Sequence, residues 1–330
     1  MTNKNNKTEK IKIDLKDRKI LALLDENARY TNSQIAKKVQ LSKPAVEYRI
    51  QRLIKQEVIF QFYTIINFTK LGYSQYKLYL KFQNTSLEEE QKIIEYWKKD
   101  KNTIWVVQVR GKFDLTVSIF AKNNFEFGRI LNNFMNKFSK FILEKDVLLT
   151  EYSPIYSRKH LPQSQHLGKE FLYRIPSEIY ELDDEDIKIL KELATNARIS
   201  IVDLAEKINL SRDIINYHLK KLKKDNIIIQ FRCELNLEKI GINFYKLILR
   251  TKNFSENEEK KLRDYLASHE KTTQFLNLIG SWDAEIELEV ENEDELYKIL
   301  TDIRKNFSDI IRDFDILRIT ETYKYTYFPF

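Results

Sequence analysis

Residues 41–55 read LSKPAVEYRIQRLIK, and residues 210–224 read LSRDIINYHLKKLKK. In both stretches a leucine and a serine precede a helix-forming run whose apolar residues recur at three- and four-residue spacing. Ser42 and Ser211 are good N-caps for this helix, and Pro44 is tolerated in its first turn. A short amphipathic helix precedes each stretch, so the pattern predicts a helix-turn-helix unit in each half of the chain.

The two stretches belong to a long internal repeat. A shift of 169 residues aligns Asp14–Gly72 with Asp183–Gly241 without a gap, and more than a third of the aligned residues are identical. The same shift carries Gly111 onto Gly280. The chain of 330 residues is therefore predicted to be a duplication with two domains in each copy.

The second domain of each copy is predicted to mix helices and strands. The periods of hydrophobicity give the order strand, helix, strand, strand, helix, strand from Tyr76 to Tyr152, and again from Tyr245 to Tyr323. This βαββαβ order is the ferredoxin-like arrangement, so we expect an α+β protein with two copies of a (winged) helix-turn-helix domain and a ferredoxin-like domain. The predicted divisions are a disordered basic arm at 1–12, helix-turn-helix domains at 13–66 and 181–235, α+β domains at 67–152 and 236–330, and a linker at 153–180.

The net charge of +7 is unevenly divided. Residues 1–177 hold 32 Lys and Arg against 18 Asp and Glu, whereas residues 178–330 hold 24 against 31. Within the helix-turn-helix regions, residues 1–75 hold 15 against 7 and residues 178–244 hold 11 against 13. Helix-turn-helix units bind DNA, and basic surfaces attract such polyanions, so we expect copy one to provide most of the DNA affinity. Copy two then reads a weaker half-site or mainly supports the body of the protein.

Several function classes are disfavoured by composition. The single cysteine, Cys233, excludes an internal disulfide and a cysteine-rich zinc site, and the four histidines lack metal-ligand spacing. We find no phosphate-binding glycine loop and no nucleophile elbow, so the chain is expected to need no cofactor or metal and not to be an enzyme. It also shows no membrane span and no signal peptide, which predicts a cytoplasmic protein that does not bind membranes.

The third helix of each helix-turn-helix unit is predicted to enter the major groove of double-stranded DNA. In copy one, the face opposite the buried stripe can offer hydrogen bonds to base edges and charge to phosphates. Arg49 flanks the stripe, where it contacts phosphate or holds the fold through an ion pair; a helical bundle with a solvated lysine face is the plainer alternative. The predicted DNA-binding residues are Ser42, Lys43, Pro44, Tyr48, Arg49, Gln51, Arg52 and Lys55, and Ser211, Arg212, Tyr217, Lys220, Lys221 and Lys224.

Taken together, these features resemble the Lrp/AsnC family of leucine-responsive, or feast/famine, transcriptional regulators. The resemblance rests on the Leu-Ser turn, on Tyr-Arg-Ile at 48–50, on Leu-Gly-Tyr at 71–73, and on a Gly-x-aromatic-Asp loop in each α+β domain. It implies that the α+β domains pair sheet to sheet and that a small effector, often an amino acid, binds near these loops. A hairpin turn would use the same glycine and aspartate structurally. The implied effector-binding residues are Gly111, Phe113, Asp114, Gly280, Trp282 and Asp283.

The tandem form departs from the family, whose members usually carry one copy per chain. Two copies on one chain meet at an effective concentration in about the millimolar range, so we expect the α+β domains at 73–152 and 242–323 to pack on each other. This arrangement is an intramolecular pseudo-dimer, from which both helix-turn-helix units project. Further dimerisation of whole chains stays open.

Two other functions use the same domain pair or part of it. The first is enzymatic, because siroheme decarboxylases share this pair of domains. Their α+β domain carries a histidine-containing stretch where this chain reads Trp105-Val106-Val107-Gln108-Val109, and the corresponding Gln274–Ile279 lacks histidine too, which disfavours the enzyme. The second is a module that senses a metabolite or a protein partner without contacting DNA.

Overall fold

Three helices, each started by a capping side chain, open each copy in this computed structural model, which describes residues 10–162, 171–172, 178–252 and 254–328. A left-handed residue, Gln40 (φ 55°) or Asn209 (φ 54°), makes the turn before the third helix. The caps are Asp14, Thr31 and Ser42 in copy one, and Asp183, Ser200 and Ser211 in copy two. The helices are α1 (Leu15–Glu26), α2 (Asn32–Val39) and α3 (Lys43–Lys55), and in copy two α6 (Asp184–Leu193), α7 (Ile201–Ile208) and α8 (Arg212–Lys224).

A strand follows the third helix of each copy, and the two strands pair with each other. Strand β1 (Ile59–Ile66) lies antiparallel to β8 (Ile228–Leu235), with Phe62 opposite Cys233. These strands are the predicted wings. Their pairing joins the two helix-turn-helix units into one body and leaves neither wing strand without a hydrogen-bonding neighbour.

Two arginines cross this junction in a reciprocal way. Arg29 donates from Nη1 to the carbonyl oxygens of Ala197 (2.8 Å) and Ile199 (3.1 Å). Arg198, its equivalent in the repeat, donates to the carbonyl oxygens of Ala28 and Tyr30. The Asn-Ala-Arg sequence common to both copies therefore fastens each helix-turn-helix unit to the other.

Each α+β domain has the predicted order of elements, and the two domains share one sheet. In copy one the elements are β2 (Ser74–Phe82), α4 (Leu87–Lys99), β3 (Thr103–Arg110), β4 (Leu115–Ala121), α5 (Asn124–Phe138) and β5 (Ile142–Tyr152). In copy two they are β9 (Asn243–Thr251), α9 (Glu256–Ser268), β10 (Thr272–Ile279), β11 (Ala284–Val290), α10 (Glu293–Phe307) and β12 (Ile311–Tyr325).

The eight strands close into a ring. Copy one contributes the order β3-β4-β2-β5, and copy two contributes β10-β11-β9-β12. Strand β12 pairs with β3, where Ile319 lies opposite Val109, and β5 pairs with β10, where Thr150 lies opposite Leu278. The two α+β domains thus join within one chain at both edges, as the duplicated sequence predicts, and form a barrel that has no free edge strand.

Alternation along the strands separates an outer core from the barrel interior. On β2, Leu78 and Leu80 pack in a cluster with α4 and α5 on the outside of the ring, whereas Lys77 and Tyr79 point the other way. Lys77 reaches Glu285 of β11, so the second face of each sheet lies in the interior.

The arm and the linker differ from their predicted forms. The prediction of a disordered arm at 1–12 is wrong for residues 10–12, because the backbone N–H of Ile11 donates to the carbonyl of Lys239 at 2.7 Å; residues 1–9 lie outside the described part of the chain. The first part of the linker packs closely, since β6 (Pro154–Ile155) adds to β10 and Leu161 is buried. A two-residue strand, β7 (Phe171–Leu172), pairs with β6.

Among the described residues, every helix is too short or too polar to cross a bilayer.

The reciprocal arginines give a test of the junction. Arg29→Ala should lower the free energy of unfolding by about 1–3 kcal/mol, because it leaves buried carbonyl groups without their charged donor. Arg198→Ala should act similarly, and the exposed Arg129→Ala on α5 serves as the control. Urea unfolding of the full chain measures the three changes. Equal stability of Arg29→Ala and Arg129→Ala would contradict the conclusion that Arg29 fastens the two helix-turn-helix units to each other.

Candidate functional site

The third helix of copy one presents polar side chains to solvent. Val46, Ile50 and Leu53 are buried against α1 and α2, and they fix which face of α3 points outward. Tyr48 is 69% exposed, and Gln51 is exposed beside it. Lys43, Pro44 and Lys55 are also exposed, while Ser42 accepts a hydrogen bond from the backbone N–H of Ala45 at 3.3 Å.

Copy two repeats this arrangement on α8. Ser211 accepts from the backbone N–H of Ile214 at 3.3 Å, and Tyr217 is 65% exposed. Arg212, Lys220 and Lys224 are exposed as well. The structure therefore brings most of the predicted DNA-binding residues of each copy onto one accessible helix face.

Arg52 is a correction to that prediction. Its Nη2 atom lies 2.5 Å from Oδ2 of Asp17, whose side chain is buried, and Arg49 donates to the other oxygen of Asp17 at 2.7 Å. Arg49 also contacts Asp14 at 2.8 Å. Both guanidinium groups thus hold α3 against α1, so the ion-pair alternative applies to Arg49, and Arg52 does not project as a free base-reading group.

The same cluster recurs in copy two with different cations. Asp186 is buried and accepts from Nδ1 of His218 at 2.7 Å and from Nζ of Lys221 at 3.0 Å. Lys221 also contacts Asp183 at 3.1 Å, so its prediction as a free DNA-binding lysine is corrected as well. Asp183, Asp186 and His218 bring one ligand atom each within 4.8 Å of one another, but the Lys221 ammonium already lies between the two carboxylates.

The Gly-x-aromatic-Asp loops lie where the two α+β domains meet. Gly111 has φ 137°, and a Cβ atom there would lie 2.6 Å from the carbonyl oxygen of Ile316 on β12. Gly280 has φ 150°, and its Cβ would lie 2.6 Å from the side chain of Leu148 on β5. Each glycine therefore allows a hairpin to approach a strand of the other copy.

The remaining loop residues have structural contacts of their own. Asp114 accepts from the backbone N–H of Phe82 at 2.8 Å, and Asp283 accepts from that of Thr251 at 2.6 Å. Phe113 and Trp282 are buried, and Lys112 lies 5.3 and 5.0 Å from the centres of their rings. The loops of the two copies thus meet through Lys112, and effector binding beside them remains a prediction.

A cavity that sequence reasoning did not find lies between the barrel and the wing strands. We call it the junction cavity, and about 60 Å³ of it is open to the centres of water molecules. Its walls come from both wings, both sheets and the linker. The polar and aromatic residues that line it are Tyr63, Gln75, Lys77, Trp105, Arg158, Arg232, Glu234, Phe244, Thr273, Gln274, Glu287, Glu289, Tyr325 and Tyr327.

Three glutamates of β11 supply most of the negative charge of the barrel interior. Burial would raise the pKa of Glu285, but the ammonium groups of Lys246 and Lys77 hold it far below its usual value. Glu287 accepts from Lys246 at 2.8 Å. Burial likewise acts on Glu289, and Arg158 outweighs it and lowers the pKa of Glu289 to about 2. Buried cations therefore keep Glu285 and Glu289 ionised.

Arg158 of the linker joins the barrel to the helix-turn-helix pair. Its Nε atom lies 2.9 Å from Glu289 in the barrel, and its Nη1 atom lies 2.6 Å from Asp25 at the end of α1. Asp25 also pairs with Arg232 of β8 at 2.6 Å, and it is buried. Arg158 also donates to the carbonyl oxygen of Cys233 on β8 at 3.4 Å, so one side chain contacts the barrel and both helix-turn-helix units.

The sequence contained a signal for this interior. Residues 284–290 read AEIELEV, and alternation predicts one polar face for that strand. The aligned residues 115–121 read LTVSIFA, so the repeat has no acidic residue at the corresponding inward positions. This difference between the copies indicates that residues 284–290 have a special role in the interior. The alternation of this strand taken alone would predict that its acidic face lies in water.

Comparison with known proteins supports the identification of the helix-turn-helix units. A family model for a winged helix-turn-helix DNA-binding domain matches residues 13–59 and again residues 182–229.

Curated relatives are transcriptional regulators. An uncharacterized HTH-type transcriptional regulator of Pyrococcus furiosus, PF1734, is 32% identical over 137 residues, which cover 41% of this chain and 85% of that protein. The proline dehydrogenase transcriptional activator of Rhizobium radiobacter is 31% identical over 85 residues, which cover 26% of this chain and 53% of the activator.

A solved structure resembles nearly the whole chain. The siroheme decarboxylase NirDL superposes with a TM-score of 0.62 over 96% of this chain and 94% of its own, at 10% identity. It has also been solved with an iron-uroporphyrin III analogue, and this complex superposes with a TM-score of 0.61. The expectation that the chain is not an enzyme is therefore corrected, because the tandem fold as a whole is one that an enzyme also has.

The identity to the Pyrococcus regulator, the two domain matches and the duplicated architecture agree with one another. The chain belongs to the Lrp/AsnC family of helix-turn-helix transcriptional regulators, in a tandem-duplicated form.

Proposed function

We propose that this chain regulates transcription by binding a specific DNA sequence through two recognition helices carried on one intramolecular pseudo-dimer. The observation that supports this most directly is the pairing of β1 with β8, which fixes two helix-turn-helix units in one body with α3 and α8 both accessible. Dimeric helix-turn-helix proteins bind two half-sites about one helical turn apart. A single copy of this chain would present both recognition helices, α3 and α8.

The two recognition helices differ in their chemistry. The second position of α3 holds Pro44, whereas that of α8 holds Asp213, which is exposed. A carboxylate there repels phosphate, because the N-terminus of a recognition helix lies close to the DNA backbone. We therefore assign the stronger half-site to copy one, and a weaker one to copy two. A small effector such as an amino acid, acting at the α+β domains, is the regulatory part of this proposal.

Base reading by α3 can be tested with Gln51. Duplexes selected from random DNA by the full chain, with and without an amino-acid mixture, supply the preferred site. Gln51→Ala should then weaken binding to that site by about 1–3 kcal/mol, since a bidentate amide contact to a base is lost. Gln91→Ala, on the exposed face of α4, is the matched control. Failure to enrich any sequence, or equal affinity of the two variants, would refute this assignment.

The unequal contributions of α3 and α8 to DNA affinity can be tested at equivalent positions of the repeat. Lys55 and Lys224 occupy the same place in α3 and α8, and both are exposed. Lys55→Gln should reduce the slope of log affinity against log salt by about 0.9, the contribution of one phosphate contact, and Lys224→Gln should reduce it less.

The measurement is a fluorescence titration of the full-length variants with the selected duplex at several salt concentrations. Equal slopes for Lys55→Gln and Lys224→Gln would show that the charge difference between the copies has no consequence for DNA binding.

A second candidate function is chemistry on a tetrapyrrole, and the whole-chain likeness to siroheme decarboxylase favours it. The junction cavity itself is too small for a tetrapyrrole, since its open space of about 60 Å³ is far below the several hundred Å³ of a site for a large ligand. An absorbance scan of the purified protein with sirohaem decides between them. Decarboxylase activity requires a changed haem spectrum and a product with fewer carboxylates, and an unaltered spectrum would remove this candidate.

A further inference from the structure

The junction cavity is lined by cations that already have carboxylate partners. Arg232 contacts both carboxylate oxygens of Asp25, at 2.7 and 2.6 Å. Arg158 is shared between Asp25 and Glu289, and Lys77 donates to Glu285 at 2.6 Å. These cations are therefore not available as a binding site for an anion unless an existing ion pair is broken.

Among these interior carboxylates, Glu234 of β8 is the one that lacks a close cationic partner. Its closest cationic atom is Nη2 of Arg158 at 3.8 Å, and in the described part of the chain it accepts no hydrogen bond within 3.5 Å. Its side chain is 14% exposed and lines the cavity. His160 does not balance it, because that imidazole lies on Glu289. The four lysine and arginine side chains of the interior face five carboxylates, and His160 lies beside one of these; the carboxylates are Asp25, Glu234, Glu285, Glu287 and Glu289.

The tyrosines near Glu234 limit the size of a ligand. Tyr63, Tyr325 and Tyr327 form part of the wall, and their ring centres lie 4.9 to 6.0 Å apart. Rings at these distances are in contact, so no quaternary ammonium group fits between them. The open space takes roughly four to six water-sized groups. A short chain with one charged head group matches that space.

We propose that the junction cavity is a binding site for a small primary ammonium ion, whose –NH₃⁺ group donates to the carboxylate of Glu234. The ligand's charge lies beside a carboxylate whose nearest cation is 3.8 Å away, and its three N–H donors supply hydrogen bonds that Glu234 does not receive from the described residues. The tyrosine rings add a favourable wall for a cation. An α-amino acid does not fit this site, because its carboxylate would lie beside Glu287 and Glu289 while the arginines are already paired.

Proton binding competes with the ammonium ion at Glu234. Burial raises the pKa of Glu234 to about 7, and Glu289 adds to this rise while Arg158 and Arg232 oppose it. Only the ionised carboxylate binds the ligand, so the apparent affinity should fall about tenfold between pH 8 and pH 6. The charged and titratable groups that face Glu234 are Arg158 of the linker, Arg232 of β8, Asp25 of α1, Glu289 of β11, Tyr63 of β1, Tyr325 of β12 and Tyr327.

The test uses the full-length protein with ethylammonium chloride as the probe and the thermal unfolding midpoint as the readout. At pH 8 the midpoint of the wild type should rise with ethylammonium and then saturate, because a ligand that binds only the folded state stabilises it. Glu234→Gln keeps the shape of the side chain and should abolish the rise. Glu238→Gln, at an exposed position nearby in sequence, should behave as the wild type.

Salts and larger ions separate specific binding from general effects. Sodium chloride, tetramethylammonium chloride, sodium propionate and L-alanine at the same concentration should not reproduce the saturable rise. Glu234→Gln without ligand should unfold at a midpoint no lower than that of the wild type, since it removes a carboxylate that burial destabilises and whose nearest cation is 3.8 Å away. The proposal is overturned if Glu234→Gln responds to ethylammonium like the wild type, if tetramethylammonium acts equally, or if the response is the same at pH 6 and pH 8.

Discussion

Closure of the barrel through the pairs β12–β3 and β5–β10 is the constraint on which the rest of the structure depends. A single βαββαβ domain has one sheet face covered by helices, one bare face and two free edges. When the two copies join at both edges, the bare faces meet and the edges disappear. The glycine loops at Gly111 and Gly280, the buried charges and the packing of the linker all follow from that closure, because each lies where the two copies touch.

Much of this arrangement could be predicted from the sequence. Serine and aspartate caps, the 169-residue offset and the strand periods gave the helices, the duplication and the order of elements. Side-chain partners across the fold could not be predicted in the same way. Arg52 appeared to point outward on a helical projection, but a buried Asp17 on another helix binds it. Glu285 lies on a strand whose alternation suggested a solvated face, and its partner Lys77 is 208 residues away.

The family and the fold point to different kinds of activity. The sequence likeness to the Pyrococcus regulator extends over 137 residues, well beyond one helix-turn-helix unit, while the structural likeness to siroheme decarboxylase covers 96% of the tandem chain. The junction cavity lies between the barrel and the wing strands, and Arg158 contacts Glu289 in the barrel and Asp25 in a helix-turn-helix unit. The cavity and the helix-turn-helix units therefore share one ion-pair network, which runs through Arg158.

The duplication also changes what evolution can do with the interior. In a symmetric homodimer every substitution occurs twice, so three inward glutamates on one strand would bring six carboxylates into a single barrel. Here β11 carries Glu285, Glu287 and Glu289, while the same places on β4 hold Thr116, Ser118 and Phe120. Because the two copies are fused in one chain, β11 and β4 need not carry the same charge. A chemically one-sided chamber, which two identical subunits cannot build about their own symmetry axis, becomes available to a single gene product.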